Sequence, residues 1–127
     1  MSFDWSEYLS LAQELSGMEV AVPAGVEARQ RVVISRAYYA AFCVAREYWL
    51  AQGRAIPRNG RAHVSVRTEF SSSRDPRCRQ LERKLKNLHE NRKSADYENR
   101  LAGLTQMTEA SLFLSAEIIT QVRSLPC

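Results

Sequence analysis

Apolar residues recur along the chain at the spacing of α-helices, and they predict four long helices. The predicted spans are about 2–16, 23–52, 76–92 and 100–123. Within each span most apolar positions lie three or four residues apart, which places them on one side of a helix. No stretch alternates apolar and polar residues as a half-buried strand does. We therefore predict an all-α fold, an up-and-down bundle of four helices.

The segments between these spans contain residues that begin or end helices. The first helix is expected to stop at Gly17, and Gly53 can cap the second, because glycine readily adopts the left-handed conformation found at many helix ends. Asp75 followed by Pro76 is typical of a helix start. Apolar residues within 64–70 also allow a short extra helix between the second and third helices.

The second predicted helix is apolar on nearly every side across 37–45, so we expect it to lie in the centre of the bundle. Arg36 interrupts this pattern, within the stretch S-R-A-Y-Y-A-A-F. At helical spacing, Tyr39 and Arg46 share a face with Arg36. A buried arginine needs a partner. It is either tied to a carboxylate of another helix, such as Asp96, or it lines a cleft or a dimer seam.

The third helix brings a second polar group to one end of the bundle. Its apolar line, extended by four residues beyond Leu88, reaches Arg92. The turn expected at 94–99 holds Asp96 and Tyr97. These basic, acidic and phenolic groups either form a structural cap or bind and orient a phosphodiester.

Length and composition indicate a single domain, residues 1–127. A chain of 127 residues is long enough to bury one core. Its three cysteines are far apart and form no C-x-x-C pair, which fits a reducing compartment and argues against a disulfide framework or a zinc site. No run of 18 apolar residues and no signal peptide are seen, so we expect a cytoplasmic protein that does not enter a membrane. No P-loop, H-E-x-x-H or G-x-S-x-G motif is present, and we expect neither a metal nor another cofactor.

Positive charge is concentrated in the middle of the chain. Residues 54–93 contain 12 Lys and Arg against 4 Asp and Glu, and 15 of the 18 basic residues in the chain are arginine. Arginine suits bidentate contact with phosphate or carboxylate. The segment therefore indicates a nucleic acid, unless it serves an acidic protein partner or forms a solvated face.

The two histidines, His63 and His89, match no catalytic pattern with suitable geometry. Arg83 and His89 read as R-x5-H, but six residues of helix separate the two side chains by about 120°. His63 lies in a segment rich in glycine and proline. For both histidines we expect a surface or capping role rather than catalysis.

Two motifs in this order resemble a small stand-alone HEPN protein: S-R-A-Y-Y-A-A-F at 35–42 and R-x-x-A-D-Y at 92–97. The resemblance spans about residues 30–123. It implies a bundle of four or five helices, usually a homodimer. Many HEPN proteins are metal-independent RNases of toxin–antitoxin, CRISPR and anti-phage systems. In these RNases an R-x(4–6)-H motif from each copy lines a shared cleft, where the RNA 2′-hydroxyl attacks the adjacent phosphate. Others are partnered by a minimal nucleotidyltransferase that adds AMP to a tyrosine near the motif.

The chain departs from this motif at the position where histidine is expected. Arg92 matches the arginine, but the positions that follow read Tyr97, Glu98 and Asn99. Tyrosine titrates near pH 10 and is a poor proton shuttle at neutral pH. The resemblance therefore leaves the proton-transfer role unassigned.

On these grounds we expect a prokaryotic HEPN-like protein of a toxin–antitoxin or defence module. We expect a homodimer that binds RNA or a nucleotide, with metal-independent RNA cleavage as its activity if it is an enzyme. The alternative is a non-catalytic helical partner of a nucleotidyltransferase, in which the polar groups are structural. The candidate catalytic residues are Arg92, Asp96 and Tyr97. The candidate RNA- or nucleotide-binding residues are Arg36, Tyr39, Arg46, His63 and Lys93.

Overall fold

The computed structural model describes residues 3–18 and 25–126, and all regular structure within them is α-helical. The helices are α1 (Glu7–Ser16), α2 (Gly25–Ala51), α3 (Ala62–Ser71), α4 (Pro76–Tyr97) and α5 (Leu104–Arg123). The prediction of an all-helical chain is confirmed for these residues. The short extra helix is present as α3, and it is slightly longer than the sequence indicated.

The end of α4 differs from the prediction. The helix continues to Tyr97, so the turn expected at 94–99 is wrong over 94–97. The reason is Ala95, which is 2% exposed and packs in a small apolar cluster with Ile34 and Leu104. Burial of this alanine favours one more turn of helix, and it places Asp96 and Tyr97 on α4 itself.

Two helix starts also differ from the prediction. α1 begins at Glu7, because the carboxylate of Asp4 accepts a hydrogen bond from the backbone N–H of Ser6 at 3.0 Å and holds a turn before the helix. α5 begins at Leu104, after Gly103 with a φ of 67°, a conformation that glycine adopts without strain. Residues 3–6 are not helical, although the sequence predicts a helix from about residue 2. The start predicted near residue 23 lies outside the described residues.

α2 lies in the centre of the fold and contacts each of the other four helices. Small side chains allow such close approach from several sides. Its fully buried alanines are Ala37, Ala40, Ala41 and Ala45. The largest fully buried apolar side chains around them are Tyr38, Phe70, Ile34, Leu81, Leu85, Leu88 and Ile118. The predicted central position of this helix is confirmed.

Buried polar groups fix how α5 lies against α2 and α4. The Ser115 hydroxyl donates to the backbone carbonyl of Ala37 at 2.7 Å. The Asn91 side-chain amide donates to the Ser111 hydroxyl at 3.2 Å. Since a buried polar group without a partner costs about 1–3 kcal/mol, these bonds favour one orientation of α5.

Two further expectations concern disulfide bonds and membrane-spanning helices. Cys43 and Cys78 are buried and form no disulfide, and Cys127 lies outside the described residues. None of the described helices has both the length and the hydropathy that crossing a bilayer requires.

Candidate functional site

A group of polar and aromatic side chains meets where α2, α3 and α4 pack together. We call this group the His–Arg cluster. Its members are Tyr38 and Tyr39 of α2, His63 and Arg67 of α3, and His89 and Arg92 of α4. Each of the three helices contributes two members, so the cluster depends on the packing of all three.

The two histidines lie face to face in this cluster. The rings of His63 and His89 are stacked with centroids 4.9 Å apart and planes 12° apart. Tyr38 stacks on His89 at 4.9 Å, and Phe42 contacts His63 at 4.5 Å. Both imidazoles are half-buried. The expectation of a surface or capping role for these histidines is therefore wrong.

Helical spacing explains why the imidazoles turn inward. His63 precedes Val66 by three residues and Phe70 by seven, and both of these side chains are completely buried. His63 therefore lies on the buried face of α3. Arg67 lies one turn after His63, and Arg92 lies nearly one turn after His89. These two pairs have histidine before arginine, the reverse of the R-x(4–6)-H order, and they are the sequence signal that indicates this cluster.

A hydrogen bond fixes the proton position on His89, whereas the one to His63 allows either neutral tautomer. Arg67 Nη1 donates to His89 Nδ1 at 2.9 Å. Because a guanidinium only donates, His89 Nδ1 must be an acceptor, and the ring proton must be on Nε2. The Tyr38 hydroxyl lies 2.5 Å from His63 Nδ1. A hydroxyl donates or accepts, so this contact is compatible with either neutral tautomer of His63.

Both imidazoles are held in the neutral form. Burial lowers the pKa of His63, and the cations of Arg92 and Arg67 lower it further. Burial lowers the pKa of His89 to about 4, with additional repulsion from His63 and Arg67. Burial also raises the pKa of Tyr38, so its hydroxyl keeps its proton. At neutral pH the cluster therefore contains two uncharged imidazoles among cationic guanidinium groups.

Arg92 connects the cluster to Asp96 and Tyr97. Its Nη2 donates to the Tyr39 hydroxyl at 2.9 Å, and its Nε lies 2.8 Å from Asp96 Oδ2. The Nε–H nevertheless makes no well-aligned hydrogen bond, so the contact with Asp96 is an ion pair by proximity alone. The guanidinium also lies over the Tyr39 ring at 5.2 Å and the Tyr97 ring at 5.6 Å. Tyr97 itself is 72% exposed.

The suggested ion pair between Arg36 and Asp96 is wrong. Asp96 pairs with Arg92 of its own helix, one turn earlier. The Arg36 guanidinium instead lies between two rings, 5.3 Å from the centroid of Tyr8 and 5.0 Å from that of Tyr39. No ion pair joins Arg36 to a carboxylate in the part of the chain that the structure describes. Cation–π contacts take the place of the expected carboxylate.

Two neighbouring cavities open beside the cluster, and Tyr39 borders both. The larger, of about 500 Å³, is bordered by Tyr39, Arg46 and His63. The smaller, of about 390 Å³, is bordered by Arg36, Tyr39, Arg92 and Asp96. The structure thus brings six of the eight predicted site residues to these two cavities.

The remaining predicted residues, Lys93 and Tyr97, line neither cavity. Lys93 is exposed and pairs with Glu90 at 3.1 Å. Tyr97 contacts the site through the Arg92 guanidinium, which lies 5.6 Å from its ring centroid. Within 3–18 and 25–126, no three His, Cys, Asp or Glu side chains lie close enough together to hold a metal ion.

The chain matches no protein-family model, no curated protein and no solved structure. The HEPN resemblance therefore stays a prediction that depends on two sequence motifs.

The depressed histidine pKa values predict that folding stability depends on pH. In the unfolded chain these histidines titrate near 6.5, whereas in the folded protein their pKa values are lower. The unfolded state therefore binds more protons at acidic pH, and the free energy of unfolding falls as pH decreases from 6.5 towards 4. Urea unfolding of wild type and His89→Gln at pH 7.5 and 5 measures this effect. The variant is expected to lose less stability on acidification. An equal loss in both proteins would contradict the assignment for His89.

Proposed function

We propose that this protein is a HEPN-like, metal-independent endoribonuclease that acts as a homodimer in the cytoplasm of a prokaryote, within a toxin–antitoxin or defence module. The observation that carries the proposal is the stacked, neutral pair His63 and His89. Arg67 donates to His89, and the charges of Arg67 and Arg92 lower the pKa of both imidazoles. Cleavage of RNA without a metal needs a proton acceptor near the 2′-hydroxyl and positive charge near the phosphate. The cluster supplies both.

His63 is the group that accepts the proton. It is the only imidazole that borders the larger cavity among the described residues, so it can touch a substrate. When its Nδ1–H donates to the Tyr38 oxygen, Nε2 keeps a free lone pair. That arrangement orients the imidazole ring and leaves the unprotonated Nε2 directed away from Tyr38. His63 thereby fills the role that the missing motif histidine left unassigned.

The reaction proceeds by attack of the RNA on its own phosphate. His63 Nε2 takes the proton of the 2′-hydroxyl as the 2′-oxygen bonds to phosphorus. The bond from phosphorus to the 5′-oxygen breaks, and that oxygen takes a proton from water. The products are a 2′,3′-cyclic phosphate and a free 5′-hydroxyl, and the imidazolium returns its proton to solvent.

The arginines stabilise the negative charge that develops on the phosphate. Arg92 lies at the border of the smaller cavity, with a side chain that is only 15% exposed. A guanidinium in such a partly desolvated position interacts with a phosphate more strongly than one in open solvent. His89 is fixed with its proton on Nε2 by Arg67, so it acts as a hydrogen-bond donor and not as a base.

A second candidate function is that of a non-catalytic partner for a nucleotidyltransferase. It is favoured by the contacts of Arg92 with Tyr39 and Asp96. These contacts use much of the charge and hydrogen-bonding capacity of the guanidinium within the chain. Tyr97 is also exposed enough to be reached by a modifying enzyme. In this candidate the polar groups hold the three helices together and bind no RNA.

Incubation of the purified protein with total RNA in excess chelator separates the two candidates. We expect cleavage without added metal, and RNA fragments that end in 2′,3′-cyclic phosphate. An oligonucleotide with 2′-deoxyribose throughout is the matched control and must remain intact, since it lacks the nucleophile. Absence of cleavage by a folded protein would eliminate the RNase proposal and leave the partner role.

A further inference from the structure

The larger cavity extends well beyond the imidazole that the proposed reaction uses. Its volume of about 500 Å³ falls within the roughly 300–1,000 Å³ typical of pockets that hold a small ligand. Phe42, Ile56 and Pro57 supply apolar surface, while Arg46 and Arg58 supply positive charge. This mixture suits a nucleotide, which combines a flat apolar base with an anionic phosphate.

One acidic side chain, Glu47, borders this otherwise basic cavity from an exposed position, and it also borders a neighbouring cavity that Trp5 lines. The Trp5 indole N–H donates to Glu47 Oε1 at 2.8 Å and so holds the carboxylate in one orientation. Trp5 is itself covered by the Arg46 guanidinium, 5.3 Å from its ring centroid. Across the described ranges, no ion pair neutralises Glu47. A carboxylate has about four acceptor positions, so Glu47 keeps acceptor capacity that no described side chain uses.

We infer that this cavity binds a guanine base of the RNA, with Glu47 accepting hydrogen bonds from its Watson–Crick edge. Guanine presents two adjacent donors there, N1–H and the N2 amino group, which match a carboxylate. Adenine presents a lone pair at N1, which a carboxylate repels. Cytosine and uracil each present a single donor beside acceptors. The inference rests on the proposed function for its substrate, since single-stranded RNA is read through such base edges.

The positions of the polar groups fit one nucleotide placed across the site. His63 and Tyr39 border the same cavity as Glu47, so a base held by Glu47 adjoins the phosphate at the His–Arg cluster. A negative side chain in a phosphate site weakens binding, which is a reason to place Glu47 at the base and not at the phosphate. Arg58 remains available for a flanking phosphate.

Calorimetric titration of the purified protein with GMP and AMP tests the inference. The wild type is expected to bind GMP at least about tenfold more tightly than AMP, because hydrogen bonds to a charged acceptor strengthen only the guanine complex. Glu47→Gln is expected to remove that difference, since its amide places a donor against the donors of guanine. Glu109→Gln, the same change on an exposed residue of α5, should keep it.

Several outcomes would overturn the inference. They are equal affinity of the wild type for GMP and AMP, no measurable binding of GMP at millimolar concentration, or retention of the preference by a folded Glu47→Gln. The wild-type comparison needs no variant, so a folding defect cannot leave the question open. RNA cleavage separates this inference from the proposed function. Selective GMP binding without RNA cleavage would contradict the proposed RNase activity alone. RNA cleavage with equal affinity for GMP and AMP would contradict the guanine site alone.

Discussion

Replacement of His63 by alanine is expected to lower the rate of RNA cleavage by about 10²- to 10⁴-fold, the range that a general base contributes. The imidazole borders the cavity and is neutral, so its removal takes away the proton acceptor of the proposed reaction. Single-turnover cleavage of a short RNA measures the chemical step. The pH dependence should change as well, because the acidic limb of the wild-type profile reports titration of this imidazole.

The control for this experiment is Val64→Ala, at the neighbouring position of α3. Val64 is 58% exposed, so its truncation should leave the rate within about twofold, as is usual for surface changes. Both variants must show helical circular dichroism and cooperative unfolding like those of the wild type. A folded His63→Ala protein that cleaves RNA at the wild-type rate would show that another group accepts the proton.

The second large effect concerns Arg92. Arg92→Ala is expected to reduce kcat/KM for RNA by about 10²- to 10³-fold, comparable to the loss of one preorganised donor that stabilises a transition state. Arg92→Lys should recover part of the loss, because it restores the charge but not the planar guanidinium that contacts Tyr39 and Asp96. Kinetics of the three proteins under chelator provide the comparison.

A structural role for Arg92 predicts a different result. If the guanidinium only ties α4 to α2, both substitutions should lower the free energy of unfolding and leave kcat of the folded fraction unchanged. Arg83→Ala, on the exposed side of α4, is the matched control, and it should change neither quantity appreciably. Activity in Arg92→Ala equal to that of the control would exclude Arg92 from catalysis.

The sequence predicts the helices well because their periodicity is a local property. The apolar stripe of α2 and the Asp75–Pro76 start of α4 depend on neighbouring residues alone. The end of α4 was missed because it depends on Ala95, whose partners Ile34 and Leu104 are distant in sequence. The same continuation of α4 brings Arg92 and Asp96 together, because residues four apart lie on one face of a helix.

The candidate site was predicted in part. Spacing along α2 and α4 could suggest that Arg36, Tyr39 and Arg92 approach one another, although their roles stay predictions. The encounter of His63 with His89 could not be predicted, because it depends on how α3 packs against α4. No local pattern specifies that orientation, which is set by burial of side chains such as Phe70.

The His–Arg cluster is assembled from three helices that are consecutive along the chain, and this order has a consequence for folding. Tyr38 and His63 are separated by 25 positions, and Arg67 and His89 by 22. The entropy cost of closing a loop grows only slowly with its length, so the 53 positions between Tyr39 and Arg92 cost little more than these shorter loops. Because α5 follows these three helices in the chain, every residue of the cluster is already present in the nascent chain before α5 has left the ribosome.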